Sequence, residues 1–446
     1  MTYIANTPEQ TKEMLRDCGV SSIEELFKDI PPDLAPPPLN LPPGRSEQEL
    51  TSHFEAVAGR NFSGLTNFLG GGFYDHYIPA AVDALANRSE FYTAYTPYQP
   101  EVSQGTLQGI YEYQSHICRL TSMEAANASV YDGGTALYEA CQLALQSNRR
   151  RSRIVMDSGV NPVYRKMLLS YTANLAIDFA EAPVVHGHSD RQALFDMLDD
   201  QTAAVILQNP NFFGAVDNHE DIVEHCHQQG ILVIQSVYPI AMAELVSPGE
   251  IGVDIVTGEG QSLGMPLSFG GPYLGFMACR KELARRMPGR IAGRTVDNQG
   301  REAFVLTLQA REQHIRRQKA TSNICTNQAL CALRAHIYLS LMGRQGLAEV
   351  AELCRSKAEY MKQRLSEIPG VDVKRGSPTF NEFTVELPIN AEDFAARMVE
   401  RGFAPGFPLG HYYPDLENYL LVAVTEKRTK YEMGVYAENM EAVLCR

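Results

Sequence analysis

"TGEGQSLGMPLSFGGPYLGF", Thr257 to Phe276, is the stretch on which the reading of this chain turns. It has the rhythm of a loop that holds a covalently attached cofactor. A strand end is followed by small polar residues, a proline, a glycine pair and a second strand. A lysine is expected near the middle of such a loop. None occurs between Gln235 and Arg280.

The flanks show what kind of fold carries the loop. Short β-rich runs recur at 153–158, 175–180, 203–210, 231–237, 254–259 and 273–279, with helical segments at 161–171, 191–198 and 220–229. This alternation predicts an α/β domain with a mostly parallel sheet covered on both faces. After Thr321 the texture changes. A long helical stretch leads to short strands ("VDVKR", "NEFTVEL", "LLVAVT") and helices near 391–402 and 429–444, a smaller α+β C-terminal domain. Ahead of the sheet, Thr7-Pro8 with Gln10, and Ser22 with Glu25, carry the residues of capping boxes and predict two short helices. Pro31–Gly44 holds seven prolines and is expected to run extended. It is either a linker or an arm lying on another subunit, with Leu34, Leu39 and Leu41 to bury. The expected division is 1–50, 51–325 and 326–446.

Composition removes several function classes. The chain has 446 residues, 44% hydrophobic, and a formal charge of −14, which is unlike a nucleic-acid or anionic-membrane surface. No run of eighteen apolar residues predicts a transmembrane helix, and the N-terminus lacks the pattern of a secretory signal. Nine scattered cysteines with no CxxC read as reduced and mostly buried, which points to the cytoplasm.

A large parallel-sheet domain, a long connecting helix and a small α+β domain make the layout of fold-type I pyridoxal-phosphate-dependent transferases. That chemistry asks three things of the large domain. A glycine-rich turn at a helix N-terminus holds the phosphate. An Asp at a later strand end pairs with the pyridine nitrogen, and a Lys further on bonds the cofactor. Asp132-Gly133-Gly134-Thr135, just before an apolar-periodic helix, meets the first in form; a tight turn with an N-cap explains it equally. The other two fail. The strand at 231–237 ends in Gln235-Ser236-Val237-Tyr238, with no acid, and Gln261 and Ser262 stand in the lysine loop. An amide cannot form a Schiff base, so the scaffold is kept without the means of holding the cofactor.

Longer segments carry a specific resemblance. They are "NFLGGGFYDHYIPAAV" (67–82), "YTAYTPYQPEVSQGTLQGIYEYQSHI" (92–117), "ANASVYDGGTAL" (126–137), residues 288–333 from "PGRIAGRTV" to "NQALCAL", and "NYLLVAVTEKRTKYEM" (418–433). With them the chain resembles the P-protein (glycine decarboxylase) family of the glycine cleavage system, and within it the alpha-type, subunit 1 chains. The resemblance implies an α2β2 assembly with a beta subunit. That subunit holds pyridoxal phosphate on a lysine where this chain has Gln261. The complex decarboxylates glycine and passes the aminomethyl group to the lipoyl arm of H protein. The family pattern leads one to expect an acid at Tyr238, which is absent.

If the partner's site is completed across the interface, as in fold-type I dimers, two segments are candidates. Tyr95, Tyr98 and Gln99 offer phenol and amide groups; a packed aromatic loop accounts for them nearly as well. Arg311, His314, Arg316, Arg317 and Lys319, beside Thr321, Ser322 and Asn323, suit a phosphate or the glycine carboxylate; a solvated helical face is the plainer explanation. Gly133, Gly134 and Thr135 would then be a relic phosphate loop. Asp75 and His76 read as an acid/base pair or as part of a glycine-rich turn. No metal ligand set is expected from "EHCH" (224–227) or "HGH" (186–188). Two other classes stay open: an independent homodimeric transferase with an unrecognised lysine such as Lys319, and a purely structural partner subunit.

Overall fold

The computed structural model describes residues 5–34, 40–61, 64–268, 270–373 and 378–445. Leu39 and three of the arm's prolines, Phe269 of the opening stretch, and the end of "VDVKR" lie outside the described residues. The chain forms two compact units, 1–63 and 64–446.

In the first unit, Pro8–Asp17 is a helix closed by the expected Thr7–Gln10 capping box. A second box, Ser46 with Glu49, starts the helix Glu47–Ala58, which sequence reading did not single out. The Ser22–Glu25 expectation fails. That segment is one 3₁₀ turn, Glu24–Phe27, with Ile23 before it and no side-chain cap; Glu25 takes the Ser21 hydroxyl and amide instead. A four-residue turn has no α-helical N3 amide for Ser22 to reach. The arm is not wholly extended either, since Pro32–Leu34 makes a 3₁₀ turn.

The second unit is built on a seven-stranded sheet. Its strands are β1 (Ala125–Ala126), β2 (Arg153–Asp157), β3 (Asp178–Ala182), β4 (Thr202–Asn209), β5 (Leu232–Val237), β6 (Ile255–Glu259) and β7 (Gly275–Cys279). Their order across the sheet is β1-β7-β6-β5-β4-β2-β3. Pairs from β3 through β6 are parallel, and β7 runs antiparallel to both of its neighbours. β3 lies later in the chain than the 175–180 expected, because Arg153 pairs with Asp178 across the sheet.

Alternation along the strands explains why both faces are dry. Val155, Val205, Val233 and Val256 pack in one cluster with Tyr113, Ile117, Ile222, Tyr338 and Leu347. Ile154, Met156, Ile206, Ile234 and Ile255 point the other way, against Leu137, Ala140, Leu143 and Leu168 of the helices Gly133–Ser147 and Pro162–Thr172. Neighbours in sequence thus serve opposite cores, as a doubly covered parallel sheet requires.

The long helix Ala329–Leu365, kinked at Gly343, leads into a second sheet. It is four-stranded and antiparallel: Asp372–Val373, Glu382–Glu386, Tyr419–Ala423 and Phe407–Pro408. Phe383, Val385, Leu420 and Val422 bury against Ala358, Met361, Phe394, Met433 and Tyr436. The hairpin Ile291–Val296/Glu302–Thr307 went unread in the sequence. Five cysteines are buried and all nine are free. No helix among the described residues is long and apolar enough to cross a membrane.

Candidate functional site

In parallel sheets of this kind the carboxyl ends of the strands face the ligand crevice. Here β5 and β6 end at Val237 and Glu259, beside the N-terminus of the Gly133–Ser147 helix. Asp132, in extended geometry, caps that helix by accepting the Thr135 N–H at 2.8 Å.

Gln261 sits in this crevice, 1% exposed. Its Oε1 accepts the Tyr74 N–H at 2.9 Å. Its Nε2 donates to the Tyr74 carbonyl at 3.1 Å and the Met265 carbonyl at 2.8 Å. Every hydrogen-bonding group of the amide head is used within the chain, joining the loop at Tyr74 to the loop after β6.

Glu259 is the residue that sequence reading missed. Its Oε2 accepts the N–H of Gly133, the first helical residue, at 2.9 Å. Its Oε1 accepts the N–H groups of Gln261 and Leu274, both at 3.0 Å. Burial pushes this carboxyl up to about 7, against the pull of those three donors. Glu382, from the small sheet, closes the other side. It accepts the Gly71 N–H at 2.6 Å and the Tyr74 hydroxyl at 2.7 Å, and burial pushes it, too, up to about 7. A Cβ on Gly70 would overlap the Glu382 carboxylate, so that position needs glycine.

The space left among these groups is ≈ 30 Å³. It is lined by Tyr74, Tyr164, Tyr238, Glu259, Asn381 and Glu382, among others, with no lysine or arginine. Asn381 Nδ2 is buried there without a protein partner. One water fits such a volume; cofactor pockets run to roughly 300–1,000 Å³. Pyridoxal phosphate therefore does not fit this crevice. Room, a lysine, a cation and an acid at the end of β5 are missing, and Glu259 stands at the helix N-terminus.

Tyr238 replaces the expected acid and joins a buried relay. Its hydroxyl meets His76 Nε2, and His76 Nδ1 meets Glu426 Oε2 at 2.6 Å. Cys354 Sγ lies 3.6 Å from the same Oε2. The ligand atoms of His76, Cys354 and Glu426 lie within 4.8 Å of one another, and both His76 ring nitrogens are hydrogen-bonded, to Glu426 and Tyr238. The Asp75–His76 pairing is corrected. Asp75 instead binds Lys427 at 2.6 Å and Arg428 at 3.1 Å, because the loop after Tyr419–Ala423 brings those cations to it. In "EHCH", His225 stacks on Phe195, Cys226 is buried and His227 meets Asp254, so the three diverge. "HGH" is the turn between the short strands Val184–Val185 and His188–Ser189.

The two candidate segments meet at a different place. Tyr95 and Tyr98 are 78% and 47% exposed, and Gln99 is exposed too. Tyr98 stacks edge-on with His314, centroids 5.7 Å apart. Arg290 links them from beneath. Its guanidinium lies 5.5 Å from the Tyr98 ring centroid, reaches its hydroxyl at 3.2 Å, and sits 3.9 Å from buried Glu312. Arg311 turns inward to the carbonyls of Leu308 and Gly289, and burial lowers its pKa. Ser322 also turns inward, to Glu139, while Asn323 is exposed and Thr321 half-buried. Arg316, Arg317 and Lys319 are exposed and make no ion pair among the described residues. Thr96 Oγ1, Arg290 Nε, Arg311 Nη1 and Glu312 Oε1 are buried without a hydrogen bond, although Arg290 Nε faces Glu312 as an ion pair. Atoms of this kind also occur elsewhere in the chain, at Asp157, His219 and Asn381 among others, and here four of them gather at one edge. Lys319 lies in an exposed turn and does not line the crevice.

Comparison with known proteins agrees with this architecture. The family model described as "Glycine cleavage system P-protein" matches residues 1–438. The "Probable glycine dehydrogenase (decarboxylating) subunit 1" of Oleidesulfovibrio alaskensis is 53% identical over 444 residues and covers all of both chains. A crystal structure of glycine decarboxylase (P-protein) of the glycine cleavage system, in inhibitor-bound form, superposes with TM-score 0.93 at 41% identity, covering 100% of each chain. Glutamate decarboxylase of Lactobacillus brevis shares the fold alone, at TM-score 0.69 and 13% identity over 95% of this chain and 97% of that one. The chain belongs to the glycine cleavage system P-protein family, and its fold is that of fold-type I pyridoxal-phosphate-dependent enzymes.

Proposed function

We propose that this chain is the alpha subunit of a cytoplasmic glycine decarboxylase, inactive alone, and works as half of an α2β2 enzyme. The beta subunit holds pyridoxal phosphate covalently. The assembled enzyme removes carbon dioxide from glycine and transfers the aminomethyl group to the lipoyl disulfide of H protein, which is reduced. The observation that carries this reading is Gln261. Its amide is fully bonded inside a crevice with no room for the cofactor, so the chemistry has to be done elsewhere.

This chain's part is to complete the partner's site from the edge where its own groups lack partners. Tyr95, Tyr98 and Gln99 offer hydrogen bonds there, with Thr321 and Asn323 beside them. Arg316 and Lys319, helped by His314 and by Arg311 beneath, supply the positive charge that a carboxylate or phosphate needs. In this reading 1–50 serves as the interface arm, 51–325 carries the site edge, and 326–446 closes the crevice through Glu382.

Glycine–bicarbonate exchange, measured with H protein on each chain and on the pair, tests the proposal. Exchange is expected only with the pair. Full exchange by the partner without this chain would reduce it to a structural companion. Exchange by this chain alone would make it an independent transferase.

A further inference from the structure

The crevice holds one polar contact that its helix N-terminus would not lead one to expect. A helix N-terminus with free backbone N–H groups and a favourable dipole is a natural anion site. In this chain a side-chain carboxylate already occupies it. Glu259 Oε2 takes the Gly133 N–H, and Oε1 takes two more N–H groups from Gln261 and Leu274. Three separate segments therefore converge on one carboxylate. Gly133 is shaped to the same arrangement: an added Cβ would lie 3.0 Å from Glu259 Cβ and 2.6 Å from the Tyr164 hydroxyl. The surrounding wall adds a second carboxyl, Glu382, and no cation that would help a phosphate displace the first.

We infer that the Glu259 carboxyl group plugs the phosphate cradle, closing this chain to phosphate-bearing ligands and joining β6, β7 and the Gly133–Ser147 helix. The glycine turn is thus an active structural device in which the chain supplies the occupying carboxyl group itself. Removing the Glu259 side chain should leave three N–H donors facing a cavity large enough for a small oxyanion. A latent site for inorganic phosphate would then open. The inference is independent of the two-chain proposal, because its test needs only this chain.

The test uses the purified full chain at pH 8, where Glu259 is mostly ionised, and titrates inorganic phosphate against potassium chloride of equal ionic strength. Thermal midpoint and ³¹P line broadening are the two readouts. Wild type and Glu259→Gln, which keeps the bulk, are expected to respond no more to phosphate than to chloride. Glu259→Ala is expected to be stabilised by phosphate and to bind it at least about tenfold more tightly than wild type. If Glu259→Ala proves insoluble, phosphate in the expression lysis and refolding buffers is expected to rescue it, and chloride is not. Equal phosphate binding by wild type and Glu259→Ala would overturn the inference. So would a folded Glu259→Ala that ignores phosphate, or an insoluble one that phosphate fails to rescue.

Discussion

Two regions of this molecule hold its polar chemistry, and they are opposites. In the crevice at the ends of β5 and β6, Gln261 and Glu259 spend their hydrogen-bonding atoms on the chain's own backbone, and ≈ 30 Å³ remains. At the edge formed by Tyr95–Gln99 and residues 290–323, aromatic rings stand in solvent, three cations make no ion pair among the described residues, and four buried polar atoms lack a hydrogen bond. The first region is closed around its own hydrogen bonds, with Asn381 Nδ2 its unpaired group. The second leaves exposed rings and unpaired cations for a partner in the proposed reading. Under the proposed function, a chain of this family with this distribution offers its chemistry outward, to a site shared with its partner.

The largest effect that separates the two regions is on catalysis. Arg316→Ala combined with Tyr98→Ala, in the reconstituted two-chain enzyme, is expected to lower glycine–bicarbonate exchange by about 100-fold while assembly by size exclusion stays intact. Unchanged exchange in an intact complex would remove the edge from the site. Gln261→Ala addresses the crevice instead. It strands the buried Tyr74 N–H and two carbonyls, and about 3 kcal/mol of stability should be lost in urea unfolding of the isolated chain. A loss below about 0.5 kcal/mol would mean the amide is not the clamp its geometry suggests. Gly133→Ala should cost somewhat less, about 2 kcal/mol, because Tyr164 and Glu259 have to move to admit a methyl group.

The smallest expected effect is a pH dependence of stability confined to the interior. Burial pushes Glu139, Glu259 and Glu382 up to about 7, each from an ordinary value of 4.5. Each binds its proton more tightly in the folded chain than in the unfolded one. Their contribution is therefore fully present below pH 4.5 and is lost as pH rises through about 7. The urea midpoint of wild type should fall between pH 5 and pH 8 more steeply than that of Glu382→Gln. Parallel profiles for the two would contradict it.

Much of the fold was legible because it rests on local pattern. The runs 203–210, 231–237 and 254–259 became β4, β5 and β6 almost residue for residue, and Asp132-Gly133-Gly134-Thr135 became a capped helix start. The absence of a lysine near Gln261 was likewise plain in the sequence. What could not be read depends on residues far apart in the chain. Asp75 meets Lys427 and Arg428 across some 350 positions, as His76 meets Glu426, and His76 meets Tyr238 across 162. Glu259 looked like an ordinary strand-end carboxylate, since nothing local says that Gly133 will lie beside it. The signal was present only in combination: a lost lysine, a lost aspartate and an acid two residues ahead of Gln261. The 291–307 hairpin was missed because its strands pair with each other and leave Arg294 and Glu302 in solvent, diluting the apolar alternation.

One measurement tests the central claim that this chain is the cofactor-free half of an enzyme. The isolated chain and the assembled pair are each incubated with pyridoxal phosphate, reduced with borohydride, and weighed as intact proteins. The account predicts an unchanged mass for this chain in both samples and one reduced pyridoxyl group on the partner. A stoichiometric adduct on a single lysine of this chain would contradict it.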